Sequence, residues 1–377
     1  MNHVIRMAIF SVCLGGMLAP AIGEAATVED LERRIRALEA QIEINNEETR
    51  DVADSFKRGM SVAGYTDVEY MATNKAGDSN GFRMHHMSLM FKKQVNEKLK
   101  FFSEIEFEDA PHIKGSSTSS TVAGKIFLEA VNLDYMLSSS TTLRVGRFFT
   151  PAGIWSVDHY PPFVATQIRP QHIRKVFPQL TDGAAITGQH AVGNTFVSYD
   201  LFVGNGETKA FFGDKDYNSS KAVGLRVNAA LPVLDRFEVG ATGYKDKTLL
   251  DPTTGIEEQK SAYGVHMLAK LGAIRVKAEY AKGEYEPLPT PSTSYTRTGY
   301  YIQPSYDINK WTLGYRYDYF EPKSTVQNDK TRINTAFVNY HVDKNTVLKW
   351  EHHLLNLEDP AKDDYYKSIV SIAVNFD

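Results

Sequence analysis

The chain has one cysteine in 377 residues, Cys13, and it lies inside an apolar stretch near the N-terminus. If that stretch is removed no thiol remains, which excludes disulfides, thiolate metal sites and a cysteine nucleophile. Charge of one sign is also missing. Lys and Arg number 42 against 46 Asp and Glu, leaving a net charge of −4. That is the wrong sign for a protein that neutralises phosphates, so nucleic acid is not an expected partner. Beyond residue 30 no run approaches the roughly 18 apolar residues that a helix needs to cross a bilayer. A helical membrane protein is therefore excluded. A membrane β-barrel is not, because its strands alternate apolar with polar residues and so leave the mean hydropathy low, here −0.34.

What is present begins with a processing signal. Residues 1–6 carry one positive charge, 7–18 are apolar, and Gly23-Glu24-Ala25 puts small residues where a signal peptidase reads. Cleavage is expected after Ala25, making 1–25 a signal peptide. Cys13 follows Phe10-Ser11-Val12 and lacks the pattern of a lipoprotein box. In the segment 26–58, Val28, Leu31, Ile35, Leu38 and Ile42 recur at alternating steps of three and four, with Glu29, Arg33, Arg34, Arg36 and Glu39 between them. This is the seam of a short coiled coil. About three heptads are marginal alone, so the segment is expected to associate; the alternative is one amphipathic helix folded onto the body.

From Ser61 onward the period is two. Trp311, Leu313, Tyr315, Tyr317 and Tyr319 alternate with Thr312, Gly314, Arg316 and Asp318, and the same alternation runs through 197–203, 223–229, 274–280 and 366–376. The pattern predicts roughly sixteen strands of about ten residues, long enough to cross a bilayer when tilted. Short connections follow every second strand, at 96–98, 138–140, 191–194, 231–233, 271–273, 308–310 and 342–344. Long ones lie between, at 74–81, 110–124, 150–182, 204–220, 245–259, 284–296, 322–330 and 356–364. Short turns at one rim and long loops at the other are the pattern of an outer-membrane barrel, and an even strand count puts both ends at the periplasmic rim. The expected fold is all-β, an antiparallel transmembrane β-barrel of about sixteen strands over 59–377, preceded by a short coiled-coil helix in the periplasm.

Parity places apolar and aromatic positions against outer-membrane lipid or a neighbouring subunit and charged positions in the lumen. The expected pore-lining residues are Arg226, His266, Lys277, Arg316, Lys349, Glu104, Glu106 and Asp318. The loop 150–182 carries Ile154, Trp155, Tyr160, Phe163, Ile168, Ile173, Val176 and Phe177, enough apolar surface to fold into the barrel. Its basic run, Arg169, His172, Arg174 and Lys175, has two readings. Standing in a constriction it would attract anions; bound to the wall carboxylates Glu104 and Glu106 it would be neutralised.

Three stretches resemble the phosphate-selective porin O/P family: Gly81-Phe82-Arg83-Met84-His85-His86-Met87-Ser88-Leu89, Leu143-Arg144-Val145-Gly146-Arg147-Phe148-Phe149-Thr150-Pro151-Ala152-Gly153, and Tyr315-Arg316-Tyr317-Asp318. The resemblance covers most of the barrel and is most specific at Gly-Arg-Phe-Phe-Thr-Pro. It implies a sixteen-stranded homotrimeric outer-membrane channel of a Gram-negative bacterium. The chain departs from the family at His85, His86 and Ser88, where members often carry arginines.

The expectation is passive diffusion of small hydrophilic solutes, favouring anions such as phosphate or other oxyanions, with no cofactor, no metal and no catalysis. Neutral or zwitterionic nutrients are the alternative solutes. The rival of another class is a barrel-embedded enzyme. The chain has no Gly-x-Ser-x-Gly elbow and no His-Glu-x-x-His pair, and His352 and His353 fall on opposite faces of one strand.

Overall fold

The computed structural model describes residues 59–115, 120–207, 220–251, 256–288 and 293–376. The expected signal peptide, 1–25, and coiled coil, 26–58, lie outside these residues. Sixteen strands follow one another: β1 (Ser61–Thr73), β2 (Gly81–Gln94), β3 (Leu99–Gly115), β4 (Ser120–Ser138), β5 (Thr141–Phe149), β6 (Leu180–Val192), β7 (Thr195–Gly204) and β8 (Ala222–Leu231). Then come β9 (Arg236–Asp251), β10 (Ile256–Leu271), β11 (Ile274–Leu288), β12 (Tyr295–Ile308), β13 (Trp311–Glu321), β14 (Thr331–His341), β15 (Thr346–Leu357) and β16 (Tyr365–Phe376). Each pairs antiparallel with the next, and β1 pairs with β16 to close the barrel, so no strand edge is left open.

The alternation that formed the strands also sorts their faces. On β13, Trp311, Leu313 and Tyr315 are exposed on the outside while Thr312, Arg316 and Asp318 are buried on the inside. Val68, Leu128, Val145, Leu201, Val265, Ile302, Leu354 and Val370 continue the exposed apolar surface around the barrel. An apolar surface of that extent is stable against lipid or another protein, not against water.

All seven short turns fall where the sequence places them. Three of the long connections are shorter than expected, because β3 and β4 run on to Gly115 and from Ser120, β9 and β10 to Asp251 and from Ile256, and β11 and β12 to Leu288 and from Tyr295. These extensions show no apolar period in the sequence. Cross-strand contacts hold them instead, including the 2.5 Å ion pair of Lys247 with Glu257. Tyr285 and Tyr295 stack at 4.8 Å.

Of the register shifts between strands, two fall beneath the long loop and break the parity there. Asp67 pairs with His86 and Val68 with Met84, leaving His85 as the extra residue of β2. Glu104 pairs with Ala130 and Ile105 with Leu128, leaving Glu129 as the extra residue of β4. A bulge re-aims a side chain that strict alternation would send to the other face. Here His85 and His86 both reach the carboxylate of Asp67, at 3.3 and 2.9 Å, and Glu129 is fully buried.

Candidate functional site

The loop 150–182, between β5 and β6, folds inward as its apolar content requires. Phe148, Ala152, Val176 and Phe177 pack on the wall residues Ala185, Phe202, Ala222, Tyr244, Ala262 and Ala281. Trp155, Val164 and Ile173 form a second cluster with Tyr301. Small wall residues make room for the large loop ones; a Cβ on Gly264 would already stand 3.1 Å from the Phe177 ring. Burying each large apolar side chain contributes about 1.5–3 kcal/mol, so this packing is a principal force holding the loop in the lumen.

The neck of the loop is the Gly-Arg-Phe-Phe-Thr-Pro stretch. Arg147 donates through Nε and Nη2 to the two oxygens of Asp182, at 2.6 and 2.7 Å. Thr150 Oγ1 meets Thr181 Oγ1 at 2.8 Å, and the Thr150 amide donates to the Gln179 carbonyl at 2.9 Å. Gly146, at φ 129°, brings the chain so close to β4 that a Cβ would lie 2.3 Å from the Val131 carbonyl oxygen.

Further along, wall side chains capture the loop backbone. Glu279 accepts the amides of Ile154 and Trp155 at 2.9 and 3.1 Å. Glu351 accepts the Gln167 amide at 2.9 Å, and Asp318 accepts the Gln171 amide at 3.0 Å. In the opposite sense, Arg316 donates to Thr166 Oγ1 at 2.6 Å and the Ile168 carbonyl at 2.9 Å. Lys349 donates to the Pro161 and Val164 carbonyls, and Asn339 to that of Ala165. These buried charges thus meet backbone dipoles of the loop.

This corrects the expected role of five residues. Arg316, Asp318, Lys349, Glu104 and Glu106 do face inward, but all are buried beneath the loop and none lines open lumen. Arg316, Asp318 and Lys349 are loop anchors. Arg226 is half-buried, with Asp200 at 3.6 Å, and Lys277 is half-buried with Asp158 of the loop at 3.6 Å. His266 is buried against Asn228, its Nε2 3.1 Å from Oδ1.

The basic run divides in two. His172 is buried, 6.0 Å from the Tyr301 ring, and burial together with Arg316 pushes its pKa down to about 3. It is a neutral packing group, not the lumen charge expected from sequence. Arg169 is half-exposed, while Arg174 and Lys175 are exposed. Arg174 Nη2 is 3.9 Å from Glu129, and burial and Arg169 lower its pKa to about 10, which leaves it cationic at neutral pH. Arg174 also adopts φ 64°, a conformation that side-chain-bearing residues rarely take. Lys175 Nζ donates to Gln171 Oε1 at 2.7 Å and lies 4.4 Å over the Phe320 ring. Glu104 and Glu106 are not bound by the run. Glu104 accepts from Ser88 and Tyr160 at 2.6 and 3.2 Å, and Glu106 from Tyr65 at 3.1 Å.

Sequence reasoning missed Asp67, Glu129, His159 and Arg297. The bulges hide Asp67's partners and Glu129 from parity. His159 lies in the loop, fully buried, and burial with Arg169 and Arg174 holds its pKa well below the ordinary value. Arg297 donates to the Lys175 carbonyl at 2.6 Å, a backbone target that no side-chain pattern announces. Thr335, His353 and Glu351 form a hydroxyl–imidazole–carboxylate line, 2.8 and 3.3 Å between partners, but all three are buried and Glu351 is committed to the loop.

With this geometry in hand, known proteins can be compared. The barrel superposes on the anion-selective porin from Comamonas acidovorans with a TM-score of 0.61 and 14% identity, covering 84% of this chain and 99% of that one. It superposes on OmpT, an outer membrane protein of Vibrio cholerae, in its trimer form, with a TM-score of 0.56 and 12% identity, covering 84% and 99%. The fold is a porin fold. An uncharacterized protein of Aquifex aeolicus is 32% identical over 152 residues, which is 40% of this chain and 33% of that protein. The match therefore spans about a third of that relative's length. No family model matches the chain, so the likeness to phosphate-selective porins rests on the three motifs.

Proposed function

We propose that the chain is an outer-membrane porin of a Gram-negative bacterium, a passive diffusion channel that favours small anions such as phosphate or other oxyanions. One observation carries the anion preference. The wall carboxylates Glu279, Asp318 and Glu351 are hydrogen-bonded by backbone amides of the loop and not ion-paired with its basic side chains. Arg169, Arg174 and Lys175 therefore keep their charge toward water, while the wall acids are sealed behind the loop. The loop's own Asp158 is matched by Lys277. Cations exposed at a narrowing raise the local anion concentration and repel cations.

The apolar outer belt and the porin fold support the membrane location, and the Comamonas neighbour is itself named as anion-selective. The trimeric Vibrio neighbour supports a homotrimer. Reversal potential across a planar bilayer in a salt gradient tests the reading. Anion preference is expected, and replacing Arg169, Arg174 and Lys175 together with Gln should reduce it at least severalfold. Cation preference in the parent protein would overturn the anion reading, and absence of conductance would overturn the channel.

A second reading, neutral or zwitterionic nutrients, is favoured by a cavity of about 390 Å³ lined by Tyr285, Tyr295, Gln259, Ser261, Glu284 and Glu286. Stacked tyrosines beside polar groups suit a sugar face. Block of conductance by millimolar sugar would support it.

A further inference from the structure

On the wall formed by β1 to β4, three groups of side chains among the described residues each bring one atom per residue within 4.8 Å of the others: Glu104, Glu106 and Glu129; Asp67, His85 and His86; and His86, Glu106 and Glu108. They are not equivalent. The first holds carboxylates alone. In the second, His85 and His86 both turn Nδ1 to Asp67, at 3.3 and 2.9 Å, so the imidazole nitrogens nearest the acid are already committed to it. The third joins an imidazole to two carboxylates. His86 lies directly opposite Glu108 in the register of β2 with β3, and Glu106 is two residues along the same face, so hydrogen-bonded strands hold all three.

In that third group the two polar atoms of each residue divide by role. His86 Nδ1 meets Asp67 Oδ1 at 2.9 Å; beside an ionised Asp67 it carries the proton, which leaves a lone pair on Nε2. Glu106 Oε2 accepts from the Tyr65 hydroxyl at 3.1 Å, and Glu108 Oε2 accepts from Lys125 Nζ at 3.0 Å. The remaining atoms turn toward one another: His86 Nε2 stands 3.7 Å from Glu106 Oε1 and 3.9 Å from Glu108 Oε1. Both separations are too long for a hydrogen bond. Glu106 Oε1 is buried with no hydrogen-bond partner, on a residue 0% exposed, an arrangement that calls for an occupant. Ligands roughly 2.0–2.2 Å from one metal stand about 3.3–3.6 Å apart at tetrahedral angles, so a small inward movement of the side chains completes the shell. Outer partners such as Asp67, Tyr65 and Lys125 are how ligands of a metal are oriented.

We propose that His86 Nε2, Glu106 Oε1 and Glu108 Oε1 bind one divalent transition-metal cation on the inner wall of the barrel. An imidazole among carboxylates suits Zn²⁺ or Fe²⁺, whereas Ca²⁺ and Mg²⁺ prefer all-oxygen shells. The two carboxylates balance the charge of the cation, and three protein ligands leave a fourth position to water. His86 and Glu106 are buried and Glu108 is half-buried, so the ion enters past Glu108. The proposal does not depend on what crosses the pore.

The test is calorimetric titration of the full-length, chelator-stripped barrel with Zn²⁺, with bound metal counted by mass spectrometry. One Zn²⁺ per chain is expected, not displaced by millimolar Ca²⁺. Glu106→Gln and Glu108→Gln should each weaken binding about tenfold or more, and Asp67→Asn, behind His86, about tenfold. His190→Gln, at an exposed histidine, should leave binding unchanged, and Glu104→Gln, in the neighbouring carboxylate group, should cost far less than Glu108→Gln. Co²⁺ should give a visible absorption band that Glu108→Gln alters. Heat-modifiable migration in gels verifies that each variant is folded, and Glu108, being half-buried, is the ligand whose replacement disturbs the wall least. No saturable Zn²⁺ binding by the folded parent barrel would overturn the proposal and leave His86 as a partner of the acids alone. Equal binding by parent and Glu108→Gln, equal losses in Glu104→Gln and Glu108→Gln, or displacement by Ca²⁺ would overturn the ligand set.

Discussion

Two parts of the wall bury acids behind the same loop and resolve them differently. From β11 to β15, Glu279, Asp318 and Glu351 each accept backbone amides of the loop, and Arg316 and Lys349 donate back to its carbonyls. From β1 to β4, Glu104, Glu106 and Glu129 meet hydroxyls and an amide side chain and leave oxygens unpartnered. The first arrangement ties wall to loop backbone in both senses. The second meets its cations at the margins, with Arg83 3.3 Å from Glu69, Lys125 3.0 Å from Glu108 and Arg174 3.9 Å from Glu129. A buried carboxylate is stable only with adequate partners, so the first wall reads as an anchor for the loop backbone and the second as a cluster of acids held by neutral donors.

The largest expected effect comes from breaking the anchored wall. Arg316→Met removes a fully buried guanidinium that holds Thr166 and Ile168. Leaving Asp318 without that neighbour should cost loop docking about 3–5 kcal/mol. The readouts are a higher single-channel conductance and new tryptic cleavage at Arg174 or Lys175. Unchanged conductance with a protected loop would show the anchors to be redundant.

The same substitution should then act with opposite sign on the two walls. Glu351→Gln should lower the thermal midpoint, since it weakens the acceptor of the Gln167 amide by roughly 1–3 kcal/mol. Glu129→Gln should raise the midpoint by relieving like-charge crowding. Equal shifts in both variants would erase the distinction.

Acid should release the loop from both walls. His172, against Tyr301, has its pKa held near 3 by burial and Arg316, and His159 is held well below its ordinary value by burial, Arg169 and Arg174. Once the loop is out, each ring titrates near 6.5. The contribution of these two rings to docking is therefore at full strength above about pH 6.5. For each ring it weakens by roughly 1.4 kcal/mol per pH unit below that, down to the docked pKa. Conductance measured against pH should rise on acidification, and His172→Gln should flatten the curve. The smallest effect belongs to the neck, common to both walls. Thr181→Val, which removes the partner of Thr150, should cost about 1 kcal/mol in thermal unfolding and leave selectivity alone.

The strand count and the turns were legible because each lipid-facing residue alternates with a polar one, and the signal repeats around the barrel. The inward direction of Arg316, Asp318 and Lys349 was legible for the same reason. Their partners were not, because a backbone amide or carbonyl carries no residue-specific mark. Glu129 and the pairing of His85 and His86 with Asp67 were hidden by single-residue bulges, after which parity reports the wrong face. His172 shows a further limit. A histidine among arginines looks like one more cation, yet burial makes it neutral.

The seam between β1 and β16 has a consequence for how the chain is made. Gly64 lies beside Phe376 and Thr73 beside Lys367, so the first strand waits for the last before its second edge is covered. Thr73 Oγ1 and Asn74 Oδ1 then bond the Tyr366 carbonyl and amide at 2.6 and 2.7 Å. Contacts of such long sequence separation form late and set the pace of folding. A chain lacking only residues 365–376 would keep fifteen strands yet expose two edges, ready to pair with other chains. Closure therefore acts as a proofreading step, in which only a chain translated through its final strand can become a sealed ring.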